Sequence, residues 1–283
     1  MPELPEVETI RQGLNQKTRG QTIRGGQVLL TRTLAYPLSV AEFWQNLTTN
    51  TITDWQRRGK YLLAQLSTPA GEVGGWLGVH LRMTGQLLWL QQDEPLAKHT
   101  RLRFFFPEGW ELRFVDIRTF GKIWWVPPTF TPETIITGLK NLGPEPLSAD
   151  FSLDYLIGRL RNRHRPIKSL LLEQELVAGI GNIYADEALF CSGIRPETIA
   201  SRLSYEQIER LRLAVIEVLT TAIAQGGTTF SDFRDVTGIN GNYGGIAWVY
   251  GRYQQPCRIC NTPIERIKLG GRSAHFCSQC QKY

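Results

Sequence analysis

The chain has 283 residues, 42% of them hydrophobic, with 32 Lys and Arg against 26 Asp and Glu and a formal net charge of +6. That hydrophobic share excludes a disordered or collagen-like chain, and the length suggests two domains or two plus a small appendage. No apolar run approaches the roughly 20 residues that cross a bilayer, and the acidic, proline-broken opening MPELPE predicts neither a signal nor a transit peptide.

In chain order, Pro5 suits a first helical turn, Glu6 and Glu8 suit its positive end, and Val7, Ile10 and Leu14 recur on one face. A leading helix is predicted there. From about Thr22 to Val126 the pattern is strand-like, in short runs such as KYLLAQL, WLGVHLRM, LRFFF and KIWWV. The run FFF, then Pro107-Glu108-Gly109, then WELRF reads as a hairpin. So many short strands predict a β-sandwich or a flattened barrel.

Pro127, Pro128, Pro132, Pro144 and Pro146 then mark a boundary. Helical patterns follow over 151–161, 167–176, 183–190 and 204–224. The last opens on Ser204 with Gln207 at the third position, the pattern of a capping box, and closes on Gly226-Gly227. Residues 226–247 are rich in Gly, Thr and Asn and almost without periodicity. The fold class is therefore α+β. Residues 1–130 form the strand-rich domain, 131–150 a linker, 151–246 a helical domain and 247–283 a cysteine-bearing appendage.

Positive charge is concentrated. Arg159, Arg161, Arg163, Arg165 and Lys168 lie within RLRNRHRPIK, which holds no acid, and Arg258, Arg266, Lys268, Arg272 and Lys282 lie in the last segment against Glu265 alone. Either stretch alone reads as a solvated face. Together they point to a polyanion, of which nucleic acid is the usual one.

Cys257-x2-Cys260-x16-Cys277-x2-Cys280 has zinc-ribbon spacing. Each C-x-x-C turn aims two thiolates at one point, and two turns complete a tetrahedron with no open position, which predicts one structural zinc. Two disulfides are the bland alternative, and the chain carries no sign of secretion. Between the pairs, Gly270-Gly271 permits a tight reversal that brings Arg272 to the hairpin tip, where it could reach a phosphate. Upstream, Gly179-Ile180-Gly181-Asn182 joins two helical patterns. Asn182 is expected as the N-cap of a helix whose free amides could receive a phosphate.

Pro2-Glu3 is the most unusual feature. With Met1 removed, Pro2 presents a secondary amine, and α-amines titrate at about 7.7–8.0, well below lysine. Such an amine can attack an aldehyde-like carbon such as deoxyribose C1′ to form an iminium, with Glu3 exchanging protons beside it. The bland alternative is that both residues merely lead a helix.

MPELPEVET, RGKYLL, HLRMTG, DIRTFG, LVAGIGNIYADEALF and the cysteine finger, taken in order, resemble the bacterial formamidopyrimidine-DNA glycosylases. The resemblance covers nearly the whole chain, and the LPEVE opening is closer to this group than to its endonuclease VIII siblings. It implies a β-sandwich with a leading helix, a helix-two-turn-helix domain and a zinc-finger β-hairpin. It also implies a monomeric, cytoplasmic, nucleoid-associated repair enzyme that acts on double-stranded DNA. Such an enzyme excises 8-oxoguanine and formamidopyrimidines and cuts the abasic strand by β,δ-elimination.

Position by position, the resemblance implies that Pro2 is the Schiff-base nucleophile, Glu3 the proton donor, Lys60 the lysine of β-elimination and Arg272 the arginine of δ-elimination. Met83, Arg118 and Phe120 would enter the base stack. His80, Arg82, His99, Lys168 and Asn182 would contact the DNA backbone, Arg163 and His164 would lie near a further contact, and 226–247 would cover the extruded lesion. Thr119 stands where many members carry a second basic residue. Two further readings use the same residues: endonuclease VIII-like excision of oxidised pyrimidines, and a non-enzymatic zinc-ribbon DNA-binding protein.

Overall fold

The computed structural model describes residues 1–228, 236–238 and 241–283. The chain forms two compact units, Met1–Lys140 with Gly226–Gly241, and Asn141–Gln225 with Asn242–Tyr283. Among the described residues no helix is long and apolar enough to cross a membrane.

The first unit opens on helix α1 (Leu4–Thr18), which buries Val7, Ile10 and Leu14 as their spacing predicted. Glu3 occupies its N-cap, and the Glu6 carboxylate accepts the Glu3 backbone N–H at 2.8 Å, one half of a capping box. Strands β1 (Gly26–Val28), β7 (Thr100–Phe105), β8 (Trp110–Asp116) and β6 (Gly85–Gln91) form one sheet in that order. The second sheet runs β2 (Leu34–Tyr36), β9 (Lys122–Val126), β5 (Val73–His80), β4 (Tyr61–Ser67) and β3 (Thr51–Arg58). Its β2–β9 pair is parallel and its other neighbours are antiparallel. The hairpin expected around Pro107–Gly109 is the β7–β8 pair.

Leu77, Val79 and Trp55 from one sheet meet Phe104, Leu112 and Phe114 from the other in a single buried cluster, so this unit is a β-sandwich. Residues 40–47, which the sequence pattern placed among strands, instead form helix α2 (Val40–Leu47). Ser39 caps it, and Phe43 and Leu47, one helical turn apart, are its buried side. The sequence reading gave 226–241 to the helical domain, but Val236 joins the sandwich core. Its carbonyl accepts the Trp89 N–H at 2.8 Å, while the Thr228 N–H donates to Glu6 at 2.8 Å.

Residues 131–140 carry the short helix α3 (Pro132–Ile135). The second unit then contributes α4 (Leu153–Leu160), α5 (Ile167–Leu171), α6 (Asn182–Cys191), α7 (Tyr205–Ala224) and the hairpin β10 (Glu265–Leu269) with β11 (Arg272–Phe276). Ser204 and Gln207 form the expected capping box on α7. α5 stops at Leu171, not 176. Gln174 takes over there, donating to the Ile180 carbonyl at 2.8 Å and accepting the Gly179 N–H at 2.9 Å, which closes the turn in place of helical bonds. Gly181, not Asn182, sits at the N-cap of α6, which moves Asn182 into the first turn.

Candidate active site and metal centre

Pro2 and Glu3 lead α1, and both are buried, Glu3 with only 2% of its surface exposed. α1 is fixed to β3 by polar contacts. The Asn15 side chain exchanges hydrogen bonds with Trp55 N and O at 2.8 and 3.1 Å, and Trp55 Nε1 donates to Thr18 at 2.8 Å. Arg57 extends this brace, pairing with Glu8 at 2.9 Å and donating to the Gly59 carbonyl at 3.1 Å. Glu8 is held below the usual carboxylate range, because Arg11 and Arg57 outweigh the opposing effect of its own burial. Gly59-Lys60 is the two-residue turn between β3 and β4, with Arg58 opposite Tyr61 and Gly59 at φ 56°. Lys60 lies at that turn, 7% exposed.

His80 pairs with Tyr61 across β4 and β5, their rings edge-on at 4.4 Å. Burial, reinforced by Arg82 and Lys60, pushes its imidazole down to about 3. His80 is therefore neutral near pH 7. Its Nδ1 accepts the Arg82 N–H at 3.0 Å, which leaves the proton on Nε2. A group that the resemblance offered as a backbone contact can thus act only as an uncharged donor.

Two loops at the end of the sandwich carry the expected stack-entering residues. Met83 is 39% exposed and Phe120 48%, so neither is a core residue. Arg82 and Thr119 adopt left-handed φ of 55° and 58°, uncommon for side-chain-bearing residues and typical of functional turns. The Arg118 guanidinium lies over the Phe120 ring at 5.0 Å. His99 is half-buried, its Nδ1 3.0 Å from Arg101 Nη2. Of the 226–247 stretch expected to cover a lesion, residues 229–235 and 239–240 lie outside the described residues.

In the second unit, Arg161, Arg163 and His164 are exposed between α4 and α5, with His164 Nδ1 3.2 Å from Ser201 Oγ. Lys168 is different. It is 1% exposed, pairs with Asp186 at 2.6 Å and donates to the Ser273 carbonyl. This ammonium is engaged inside the fold. Asp186 also accepts the His275 backbone N–H at 2.9 Å and lies 3.2 Å from its Nδ1, which docks β11 onto α6. Asn182 Nδ2 reaches Ser273 Oγ at 3.5 Å. Arg272 opens β11, exposed, directly after the Gly270-Gly271 turn, where both glycines have positive φ.

The four cysteine sulfurs lie within 4.8 Å of one another. The Cys257–Cys280, Cys260–Cys277 and Cys260–Cys280 separations are 3.8, 3.4 and 3.5 Å. Four thiolates about 2.3 Å from a central tetrahedral cation stand roughly 3.8 Å apart, whereas a disulfide needs about 2.05 Å. The cluster therefore fits a metal and excludes the two-disulfide alternative. Hydrogen bonds from Thr262 draw the Cys260 thiol down to about 6, while burial and the neighbouring thiols push Cys277 and Cys280 up. Phe190, Val249, Ile264, Cys257 and Cys277 form a small buried cluster beneath it.

Sequence reasoning missed the long-range ties made by three carboxylates. Glu6 ties α1 to the Thr228 backbone, Asp186 ties α6 to β11, and Glu187 accepts the Trp248, Val249 and Tyr250 N–H groups at 2.7, 2.9 and 2.9 Å. Burial pushes Glu187 up, against those three donors. The signal was present: adjacent acids in an otherwise apolar helical run, ADEALF, are costly unless buried partners meet them.

Three family profiles match the chain in order: the formamidopyrimidine-DNA glycosylase N-terminal domain over residues 1–123, its H2TH domain over 142–234, and a zinc finger found in Fpg and IleRS over 254–282. A formamidopyrimidine-DNA glycosylase of Crocosphaera subtropica is 69% identical over 281 residues, covering 99% of this chain and 98% of that protein. Among solved structures, MutM (Fpg) from Thermus thermophilus superposes with a TM-score of 0.87 at 38% identity, covering 99% of this chain and 98% of that one. The Lactococcus lactis Fpg in complex with DNA containing an abasic site gives 0.88 at 35%, covering 99% and 100%. With profiles along most of its length and relatives of this identity, the chain belongs to the formamidopyrimidine-DNA glycosylase family.

Proposed function

We propose that the Pro2 nitrogen performs the covalent chemistry of a bifunctional DNA glycosylase and abasic-site lyase acting on oxidised purines, the activity of this family. With Met1 attached that nitrogen is an amide without a nucleophilic lone pair, so the reading requires removal of Met1. The freed amine attacks C1′ of the damaged nucleoside as the C1′–base bond breaks, and the base departs with the bonding electron pair and takes a proton from solvent. The Pro2 nitrogen then loses its remaining proton and closes an iminium while the sugar C1′–O4′ bond opens. Glu3 protonates that departing O4′. Removal of a C2′ proton from the iminium expels the 3′ phosphate, and a second elimination expels the 5′ phosphate. We assign the proton traffic of these steps to Lys60, and phosphate binding to Arg272. The observation that carries this reading is Glu3 buried at the N-cap of α1 directly after Pro2, with Glu6 closing the cap beside it.

Met83, Arg118 and Phe120 fill the space left by an extruded nucleotide, since unstacking costs a few kcal/mol that an inserted side chain partly offsets. Arg82 and His99 of the first unit, and Arg163, His164 and Asn182 of the second, would each contact the DNA backbone, with His80 as a neutral donor. Lys168 serves the second unit's contacts by holding β11. Cys257, Cys260, Cys277 and Cys280 would hold one Zn2+, which supplies folding energy to a hairpin too small to fold on its own apolar area. The enzyme would work as a monomer on double-stranded DNA in the cytoplasm, at the nucleoid.

Borohydride reduces an iminium to a stable amine. Incubation with an 8-oxoguanine duplex and borohydride is expected to give a covalent protein–DNA complex; no complex under conditions of full binding would reject the mechanism. Parallel excision of thymine glycol separates this reading from an endonuclease VIII-like one. Tight binding without cleavage would leave only a zinc-ribbon DNA-binding protein.

A further inference from the structure

Asp116 closes β8 and is 1% exposed, yet the chemistry of the site gives it no task. Its carboxylate joins the two loops that carry Met83, Arg118 and Phe120. Oδ1 accepts the Thr84 hydroxyl at 2.5 Å and the Arg118 N–H at 3.2 Å, while Oδ2 accepts the Gly121 N–H at 2.8 Å. Thr84 completes the ring, because its oxygen also accepts the Arg118 N–H at 3.0 Å. The hydroxyl, carried by the β5–β6 loop, thus donates to Asp116 and accepts from Arg118 of the β8–β9 loop, which fixes both its rotor and the spacing of the loops. A Cβ on Gly121 would lie 2.4 Å from the Phe114 ring and 3.1 Å from Asp116 Oδ2, so only glycine brings this amide against the carboxylate.

The backbone of Asp116 reaches a third element. Its N–H donates to the His99 carbonyl at 3.0 Å, and its own carbonyl accepts Arg101 Nε at 2.7 Å. We propose that Asp116, acting through Thr84, is a positioning residue that holds Met83, Arg118 and Phe120 as one preassembled wedge for nucleotide extrusion. The proposal rests on the assignment of those three residues as the wedge. A wedge that must first order two loops loses part of its binding energy to that ordering, whereas a braced wedge does not. The left-handed residues Arg82 and Thr119 flank the tips on both loops, and the brace sits where such conformations need support.

The test uses the full-length enzyme and a duplex carrying 8-oxoguanine next to 2-aminopurine, whose fluorescence rises on unstacking. Thr84→Val removes the shared hydroxyl without changing shape, and Asp116→Asn turns an NH2 towards a backbone N–H on either face. Both variants are expected to lower the unstacking signal and to slow 8-oxoguanine excision about tenfold, the effect of losing one to two buried hydrogen bonds. Cleavage of a preformed abasic site, which has no base to extrude, should stay within about twofold of the parent. Thr84→Ser should restore both signals.

Parent-like unstacking and excision in Thr84→Val and Asp116→Asn, with both lost in Met83→Ala, would overturn the brace and leave the wedge standing. No change in Met83→Ala would overturn the wedge itself. Equal loss of excision and abasic-site cleavage in Thr84→Val would also overturn the brace, by showing general damage instead of positioning.

Discussion

The β-sandwich and the finger-bearing unit hold their functional residues by opposite means. In the sandwich a large apolar core from Ile10 to Phe114 fixes the framework, and the candidate site residues ride on its turns, each pinned by single side chains such as Arg57 and Asp116. In the finger the apolar cluster among the described residues is small: Phe190, Val249, Ile264 and two cysteines, with Trp248 and Cys280 packed against it. There the Lys168–Asp186–His275 group and the four sulfurs do what a core does elsewhere. A strong core lets a loop be tuned locally, while a small one makes metal, charge and function inseparable.

The largest effects should come from the sandwich, where the proposed mechanism puts the chemistry on one atom. Retained Met1 or an acyl cap on Pro2 is expected to abolish borohydride trapping. Glu3→Gln should slow base excision about 10²–10⁴-fold, the usual worth of a positioned proton donor, as measured by single-turnover assays. Next comes the finger. Cys277→Ser, or chelation confirmed by metal analysis, should unfold the hairpin and remove DNA binding, while far-UV and tryptophan signals of the sandwich persist. Retained duplex affinity after complete metal loss would erase the contrast between the two regions.

Breaking the buried pair is a smaller perturbation. Lys168→Met leaves Asp186 without its cation and should cost about 3–5 kcal/mol by denaturant unfolding, with part recovered in Lys168→Met/Asp186→Leu. Measured loss below about 1 kcal/mol would mean that the pair does not replace a core.

His80 supplies the subtlest test. Its folded pKa of about 3 lies below the ordinary 6.5, so the unfolded chain binds the extra proton between those values. Stability should be undiminished by this group above pH 6.5 and fall as pH drops from 6.5 to about 3, by a few kcal/mol in total. His80→Gln should flatten that slope in pH-dependent unfolding.

Much of this architecture was legible in the sequence where one signal acts alone. Ser204 with Gln207 marked the start of α7, Gly270-Gly271 marked the β10–β11 turn, and the paired C-x-x-C turns marked the metal cluster. Legibility failed where a long-range partner overrode local pattern. α5 ended early because Gln174 reached Ile180, and Thr228 and Val236 joined the sandwich because Glu6 took the amide of the first and Trp89 the carbonyl of the second. Lys168 looked like part of a basic surface because neighbouring charges were visible and Asp186, one helix away, was not. Met83 and Phe120 could be told from core residues only by their exposure.

The central claim is covalent work by the nitrogen of Pro2. The most direct measurement is mass mapping of the borohydride-trapped complex after protease and nuclease digestion. The account predicts the reduced sugar adduct on the N-terminal peptide, at Pro2 with Met1 gone. An adduct on Lys60, or on any peptide of an enzyme that still begins with Met1, would contradict it.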